Sequence, residues 1–246
     1  MSNSIKKIIH IVIIITIVAV ILCTAGIFII LYQVEGETNM PFHITKIIIA
    51  QNVDAIENDA SSTTWNLNVC ENNDMYIYLE KNFKYEKTEI IDNVELSNIV
   101  IKKENDKGEP KLYKPVEDEK VMYKNTEENE ISGITYTGEL ESNIKQLKIS
   151  NQGGIIAFRY AINNIANYIS DDAEEVNYSD LLKLTNITEE YIKTTISFNM
   201  IIKLTTGRTY QTNISIDIPT NEVIEKGTVG TEIKDFENLV FKRIEN

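Results

Sequence analysis

The stretch ISFNMIIKLTTGRTYQTNISIDI, residues 196–218, contains two apolar alternations separated by a turn signal. Side chains of period two line one face of a β-strand, and a short segment with a glycine, here Thr206-Gly207, is typical of a hairpin connection. Pro219 follows, and a residue without a backbone N–H is expected to end a strand. The pattern therefore predicts an antiparallel β-hairpin. Its two apolar series are Ile196, Phe198, Met200, Ile202 and Leu204, then Tyr210, Thr212, Ile214, Ile216 and Ile218.

The same period recurs along the chain outside the first forty residues. A second hairpin is expected over 65–80, with Glu71-Asn72-Asn73-Asp74 as its turn, because four consecutive polar residues separate two apolar series. Residues 155–169 fit a helical stripe as well as an alternation. The preceding Gly153-Gly154 pair and an expected turn at Asn163-Asn164 favour a strand. Further strands are expected at 42–52, 94–102, 131–137, 144–150 and 239–244, and short helical turns at 179–183 and 188–192.

Many short strands and few helices indicate an all-β fold, namely an antiparallel β-sandwich with short helical turns. Residues 106–130 hold Gly108, Pro110, Pro115 and several acidic residues, and they predict a surface excursion. We expect residues 41–246 to form one sandwich domain. Two domains of about 100 residues with a seam at 106–130 are the alternative.

A long apolar segment precedes this region. Residues 8–31 have His10 and Cys23 as their only ionisable side chains. At about 1.5 Å per residue they span roughly 36 Å, which exceeds the roughly 30 Å of bilayer hydrocarbon. A cleaved signal peptide has a shorter apolar region, and a soluble core helix has a polar face. The segment therefore predicts one N-terminal transmembrane α-helix, a signal anchor over residues 8–32. A linker at 33–40 connects it to the all-β domain.

The orientation follows from the charges on each side. Lys6 and Lys7 precede the segment, whereas Glu35 and Glu37 follow it, and positive charge stays on the cytoplasmic side. We expect a cytoplasmic tail at 1–7 and an extracellular C-terminal domain on a single-pass plasma-membrane protein. Small residues that recur every three or four positions could pack this helix against another, although any long apolar run contains a few. They are Thr16, Ala19, Cys23 and Gly26.

The composition limits the classes of partner that the protein can bind and indicates where it is located. The chain has 24 basic and 37 acidic residues, and without Lys6 and Lys7 the external part has a net charge of −15. Such a charge repels nucleic acid, so no nucleic-acid partner is expected. The two cysteines, Cys23 and Cys70, lie on opposite sides of the predicted membrane surface, so no internal disulfide is expected. The amino-acid usage favours residues with A/T-rich codons, and the chain lacks a disulfide framework. Both features indicate a bacterial cell-envelope protein.

Catalytic chemistry has few candidates. Outside the predicted anchor there is one histidine, His43, and one cysteine, Cys70, too few for a zinc cluster. No catalytic residues and no resident cofactor are predicted. Carboxylates are abundant, and the densest group could bind Ca²⁺ or be an exposed acidic loop. Its members are Asp171, Asp172, Glu174 and Glu175.

Aromatic residues offer a possible ligand platform. In the predicted hairpin around Asn72-Asn73, Val69 faces Tyr76 and Leu67 faces Tyr78, and Trp65 shares their face. Exposed aromatic rings stack against sugars, whereas buried ones pack a core. Three functions follow: a membrane-anchored β-domain that binds or scaffolds another envelope protein or glycan, a carbohydrate-binding surface module through Trp65, Tyr76 and Tyr78, or a carboxylate-dependent wall-glycan hydrolase.

Overall fold

The computed structural model describes residues 3–33, 40–58, 65–85, 87–170, 176–236 and 239–244, and within the first helix it describes side chains for 12–27. Eleven strands dominate this part of the chain, which confirms the all-β prediction. They are β1 Phe42–Glu57, β2 Trp65–Lys81, β3 Ile91–Lys103, β4 Glu109–Tyr113, β5 Ile134–Glu139, β6 Lys148–Ser150, β7 Gly153–Ser170, β8 Thr194–Leu204, β9 Thr209–Asp217, β10 Thr228–Ile233 and β11 Lys242–Ile244.

The helices of the described residues are one long segment and three short ones. They are α1 Asn3–Gln33, α2 Leu181–Leu184, α3 Glu189–Ile192 and α4 Asn221–Lys226. Short 3₁₀ turns occur at Glu127–Asn129, Ile144–Gln146 and Tyr178–Asp180. The helical turns expected at 179–183 and 188–192 are confirmed by α2 and α3.

The strands form two sheets with one shared apolar core. The five-stranded sheet has the order β10-β1-β2-β7-β4, and the six-stranded sheet has the order β11-β9-β8-β3-β5-β6. All pairings are antiparallel except β5 with β6. Pairings such as β2 with β7 and β3 with β8 join strands that precede residues 106–130 to strands that follow them. Phe158 and Phe198, from opposite sheets, meet edge to face with ring centroids 5.8 Å apart.

The hairpin predicted at 196–218 is confirmed. β8 and β9 pair over nine residues, from Thr195 with Asp217 to Lys203 with Thr209. Ile196, Phe198 and Met200 are buried, as the alternation requires. Gly207 closes the connection at φ +84°, a left-handed conformation that a side chain would strain.

The hairpin predicted at 65–80 is wrong. Residues 65–81 are a single strand, β2, which pairs with β1 on one side and β7 on the other. Val69 therefore faces Ala55 and Ala166, while Tyr76 faces Ile48 and Ala157. The polar run Glu71–Asp74 resembles a turn in sequence, but it is buried in the sheet, where polar side chains of neighbouring segments pair with part of it.

Residues 153–169 are a strand, as predicted. The Asn163-Asn164 pair is a bulge instead of a turn: Asn164 has φ +53°, and the register with β2 shifts between Val69 and Glu71. At 144–150 only the last three residues are strand. Three elements were not predicted, namely β4, β10 and α4. The first lies inside the 106–130 excursion and pairs with the edge of β7.

The two ends of the sandwich differ. One end, here called the entry end, includes the start of β1 and the turns at 82–85, 140–143, 151–152 and 205–208. Asn82 ties it together: its N–H donates to Pro41 O at 2.8 Å and its Nδ2 donates to Met40 O at 2.8 Å. The opposite end, here called the far end, is covered by α2, α3 and α4, whose buried side chains include Leu182, Ile192 and Val223.

The helix α1 precedes the sandwich. Its aliphatic side chains from 12 to 25 are exposed, with Leu22 at 67 %. No helix that is long and apolar enough to cross a membrane is found among the described residues, which in α1 include side chains only from 12 to 27. The transmembrane anchor at 8–32 therefore stays a prediction.

Candidate functional site

The polar run of β2 lies at the middle of the five-stranded sheet and has two faces. Successive side chains of a strand point to opposite sides. Glu71 and Asn73 point, like Met75 and Ile77, toward the second sheet. Asn72 and Asp74 point to the outer side. Four neighbouring residues therefore supply two polar clusters, an inner cluster between the sheets and an outer cluster on the surface of the five-stranded sheet.

Gln51 of β1 organises the inner cluster. Its Nε2 donates to Glu71 Oε1 at 3.2 Å, to Asn73 Oδ1 at 2.9 Å and to Pro219 O at 2.8 Å. Gln51, Glu71 and Asn73 are each at most 1 % exposed. Within the described chain, several buried polar atoms of this region have no hydrogen-bond partner. They include Gln51 Oε1, Glu71 Oε2 and Lys103 Nζ.

Burial changes the ionisation of this cluster. It raises the pKa of Glu71 to about 7, against the opposing effects of hydrogen bonds and of the Lys103 charge. Burial also lowers the pKa of Lys103, although the charges of Asp106 and Glu71 partly compensate. A carboxyl group without full hydrogen bonding favours its neutral form in a low-dielectric interior. Glu71 therefore changes charge near neutral pH.

The outer cluster is an ion pair with amide partners. Arg159 of β7 binds Asp74 through two contacts, Nε to Oδ1 at 2.5 Å and Nη2 to Oδ2 at 3.0 Å. Arg159 Nη1 also donates to Asn125 Oδ1 at 3.1 Å, and its guanidinium carbon lies 4.8 Å from the centre of the Tyr123 ring. Both charged side chains are almost buried, at 12 % and 11 % exposure. A bidentate pair of this kind fixes both geometry and register.

This ion pair fixes residues 114–130, here called the strap, across the outer face of the sheet. Asn125 Nδ2 donates to Asn72 Oδ1 at 2.8 Å and to Asn163 Oδ1 at 3.3 Å. Asn163 in turn donates to the Tyr113 hydroxyl at 2.6 Å. The excursion predicted at 106–130 is therefore fastened to the sheet over much of its length.

An open groove of about 600 Å³ lies where the start of the strap meets residues 145–148. Lys114, Lys145 and Lys148 line it, and Glu117 is its one carboxylate. Lys145 Nζ donates to the backbone oxygen of Asp118. The groove is thus positive on a strongly acidic chain, and it is of the size that small ligands and side chains occupy.

The two residues with nucleophile or base chemistry are far apart. Cys70 is buried, and burial raises the pKa of its thiol. His43 is exposed and pairs with Glu80, ten residues from Cys70 along β2, or roughly 33 Å at about 3.3 Å per residue. The pair cannot form a thiolate–imidazole couple, which requires hydrogen-bond contact.

The three candidate aromatic residues do not form one platform. Trp65 is half-buried and packs against the core, on the face of β2 that carries Leu67. Tyr76 and Tyr78 are half-buried on the opposite face, where Lys46 Nζ lies 4.6 Å from the centre of the Tyr78 ring. The predicted common face was wrong because β2 does not turn at Asn72-Asn73. Sugar binding by any of these residues stays a prediction.

The other predicted sites have different outcomes. Asp171, Asp172, Glu174 and Glu175, proposed for Ca²⁺, lie outside the described residues. Within the described ranges no group of three or more His, Cys, Asp or Glu side chains could hold a metal ion. The helix-packing residues lie on α1: Thr16, Ala19 and Cys23 are exposed, and a Cβ added at Gly26 would meet nothing within 4 Å. Helix association stays a prediction.

Sequence reasoning missed the inner and outer clusters. Their signal was a run of polar residues inside an otherwise alternating strand, together with an arginine, Arg159, in a strand of apolar residues.

Comparison of the chain with protein-family models, with curated proteins and with solved structures gave no match. Function must therefore be inferred from the residues of the chain itself.

Proposed function

We propose that the protein is a membrane-anchored, extracytoplasmic β-sandwich that binds or scaffolds another component of the cell envelope and carries out no chemistry of its own. One observation supports this most: α1, with aliphatic side chains exposed from 12 to 25, directly precedes a sandwich that has its own core. Exposed aliphatic surface of this extent is unfavourable in water, at about 25 cal/mol per Å². A bilayer would cover it.

The orientation follows from charge. Lys6 and Lys7 would remain on the cytoplasmic side, and residues 41–246 would lie on the extracellular side of the plasma membrane. Any binding would then be carried by the sandwich.

The positions and contacts of the reactive side chains support a binding role. Asp74 is held by Arg159, and Cys70 is buried with a raised thiol pKa. Glu71 is enclosed between the sheets. Asp74 and Arg159 together fix the strap, and none of the three groups faces a described groove.

The lysine groove is the part of the surface best suited to a partner. Its three lysines contrast with an external net charge of −15, so an anionic group would be drawn to this position and repelled elsewhere. The partner is therefore an envelope protein or glycan with acidic groups, seated between the strap and residues 145–148.

The anchor is tested by extraction of membranes from cells that make the full chain. We expect the protein to stay in the membrane fraction after alkaline carbonate treatment and to be released by detergent. A variant lacking residues 1–33 should not be retained. Complete release of the full chain by carbonate would contradict the anchor.

The partner is tested by crosslinking in the same membranes. We expect a Lys114→Glu/Lys148→Glu variant to lose the crosslinked species that the native chain gives. The matched control, Lys102→Glu/Lys226→Glu, has the same change of charge at lysines of the far end and should retain it. Equal loss in both variants would show that net charge alone matters, which would contradict a seated partner.

A further inference from the structure

The two most exposed large apolar side chains of the described residues are Phe83, at 90 %, and Leu140, at 85 %. Both lie at the entry end of the sandwich. Phe83 is in the turn after β2, and Leu140 directly follows β5. A single exposed apolar residue is ordinary on a protein surface, but two nearly complete exposures at one end indicate a surface that is covered in the native setting.

The turn that carries Phe83 is firmly held. Asn82 Oδ1 accepts from the Lys84 N–H at 3.0 Å, and Asn82 also bonds to Met40 and Pro41. Tyr85 accepts a hydrogen bond from Arg208 Nη1 at 2.9 Å. The sheet framework therefore holds the phenyl ring outward, so its exposure is a property of the fold.

Leu140 is connected to the same end through the β6–β7 turn. Asn151 N–H donates to Glu139 O at 2.7 Å, and Lys81 Nζ lies 3.5 Å from Gln152 Oε1. The turns that carry Phe83 and Leu140 thus flank the 151–152 turn. Both side chains project from one end of the sandwich.

Chain length places this end near the end of α1. The helix ends at Gln33, and Met40, which bonds to Asn82, is seven residues later. Seven residues span at most roughly 25 Å when fully extended. If α1 crosses the bilayer, Phe83 and Leu140 are held on the side of the sandwich that faces the lipid headgroups.

We propose that Phe83 and Leu140 insert into the interfacial region of the bilayer and hold the sandwich upright with its far end away from the membrane. This inference rests on the proposed anchor. The expected lipid is zwitterionic, because the neighbouring charges are mixed: Lys81, Lys84 and Lys87 flank Phe83, whereas Glu139 and Glu141 flank Leu140. Anionic lipid is therefore not required.

Single-tryptophan variants of the full chain, reconstituted in phosphatidylcholine vesicles, test this proposal. Trp65→Phe provides the background, and Phe83→Trp, Ile169→Trp and Leu22→Trp are added one at a time. Ile169 is the matched control because it is 65 % exposed and lies at the far end, paired with Asn66. Lipids brominated near the headgroup end of the acyl chain quench only tryptophans that enter the bilayer.

We expect Leu22→Trp and Phe83→Trp each to lose about half of their fluorescence or more, as for aromatic rings at the interface, and Ile169→Trp to be unaffected. Quenching at Leu22 without quenching at Phe83 would overturn the docking and leave the anchor intact. No quenching at Leu22 would overturn the anchor and the docking together. Equal quenching at Phe83 and Ile169 would overturn the orientation.

A second measurement covers the case in which Trp65→Phe unfolds the sandwich. A nitroxide attached at Phe83→Cys or Ile169→Cys, in a chain whose native cysteines are replaced by alanine and whose Trp65 is retained, reports its collisions with oxygen dissolved in lipid. We expect high lipid-phase accessibility at residue 83 and none at residue 169. If the nitroxide at residue 83 is buried but is not reached by oxygen dissolved in lipid, then protein, such as a second copy of the chain, covers this end. That result would overturn the proposal.

Discussion

Replacing Glu71 with glutamine should stabilise the sandwich at high pH and leave its stability unchanged at low pH. Glu71 is enclosed between the sheets, and burial raises its pKa from 4.5 to about 7. The groups that interact with it are Asn73 of β2, Gln51 of β1, Lys103 of β3 and Tyr160 of β7. None of them provides Glu71 Oε2 with a hydrogen bond in the described chain.

The sign of the pH dependence follows from proton binding. Between pH 4.5 and about 7 the folded state holds a proton on Glu71 that the unfolded state releases, so the free energy of unfolding falls as pH rises. The contribution is complete below pH 4.5 and is lost above about pH 7. At about 1.36 kcal/mol per pH unit, the loss amounts to about 3 kcal/mol.

Glutamine resembles the protonated carboxyl and does not ionise. In urea unfolding of residues 40–246, followed by Trp65 fluorescence, Glu71→Gln should match the native chain within about 0.5 kcal/mol at pH 5 and exceed it by about 3 kcal/mol at pH 8.5. The control Glu80→Gln changes an exposed carboxylate on the same strand and should shift stability by less than about 0.5 kcal/mol at both pH values. A gain that does not depend on pH, or a loss at pH 8.5, would refute the reasoning.

Two further substitutions test the outer cluster and the edge of β7. Arg159→Met leaves the buried Asp74 carboxylate unpaired, so the free energy of unfolding should fall by about 3–5 kcal/mol and amide exchange should become faster throughout the strap. The control Lys111→Met removes a half-exposed ion pair and should lower the free energy of unfolding by less than about 1 kcal/mol. Equal costs in the two variants would contradict the role of the buried pair. Tyr136→Phe removes a hydroxyl that donates to Ala157 O at 2.7 Å and accepts from Ala157 N at 3.1 Å. Thermal unfolding should therefore show a free energy of unfolding lower by about 1–3 kcal/mol. An unchanged melting temperature would show that these hydrogen bonds contribute nothing to stability.

The sequence was sufficient for the strands whose apolar residues alternate without interruption. The β8–β9 hairpin and most of β1, β3 and β7 follow from period two, because each strand buries one face against a single core. The failure at β2 has a definite cause. A run of four polar residues is far more often a turn than a buried strand segment, and only the positions of Gln51, Asn125 and Arg159 make the buried alternative possible. These partners are 20 or more residues distant in sequence, so no local pattern reveals them.

The same limit applies to the site. Arg159 is an unusual residue in an apolar strand, but its pairing with Asp74 depends on the β2–β7 register, which the predicted hairpin excluded. The lysine groove joins residues 114–117 to 145–148, two segments that have no strong signal of their own. The strands β4 and β10 at the edges of the five-stranded sheet were missed because they are only five and six residues long and carry little apolar alternation.

The central claim is that α1 anchors the chain and leaves the sandwich outside the cell. The most direct measurement is cysteine labelling of intact cells with a membrane-impermeant maleimide, in a chain whose native cysteines are replaced by alanine. Lys226→Cys, at the exposed far end, should react in intact cells, whereas Ser2→Cys should react only after the membrane is permeabilised. Labelling of Ser2→Cys in intact cells, or protection of both positions until permeabilisation, would contradict the account.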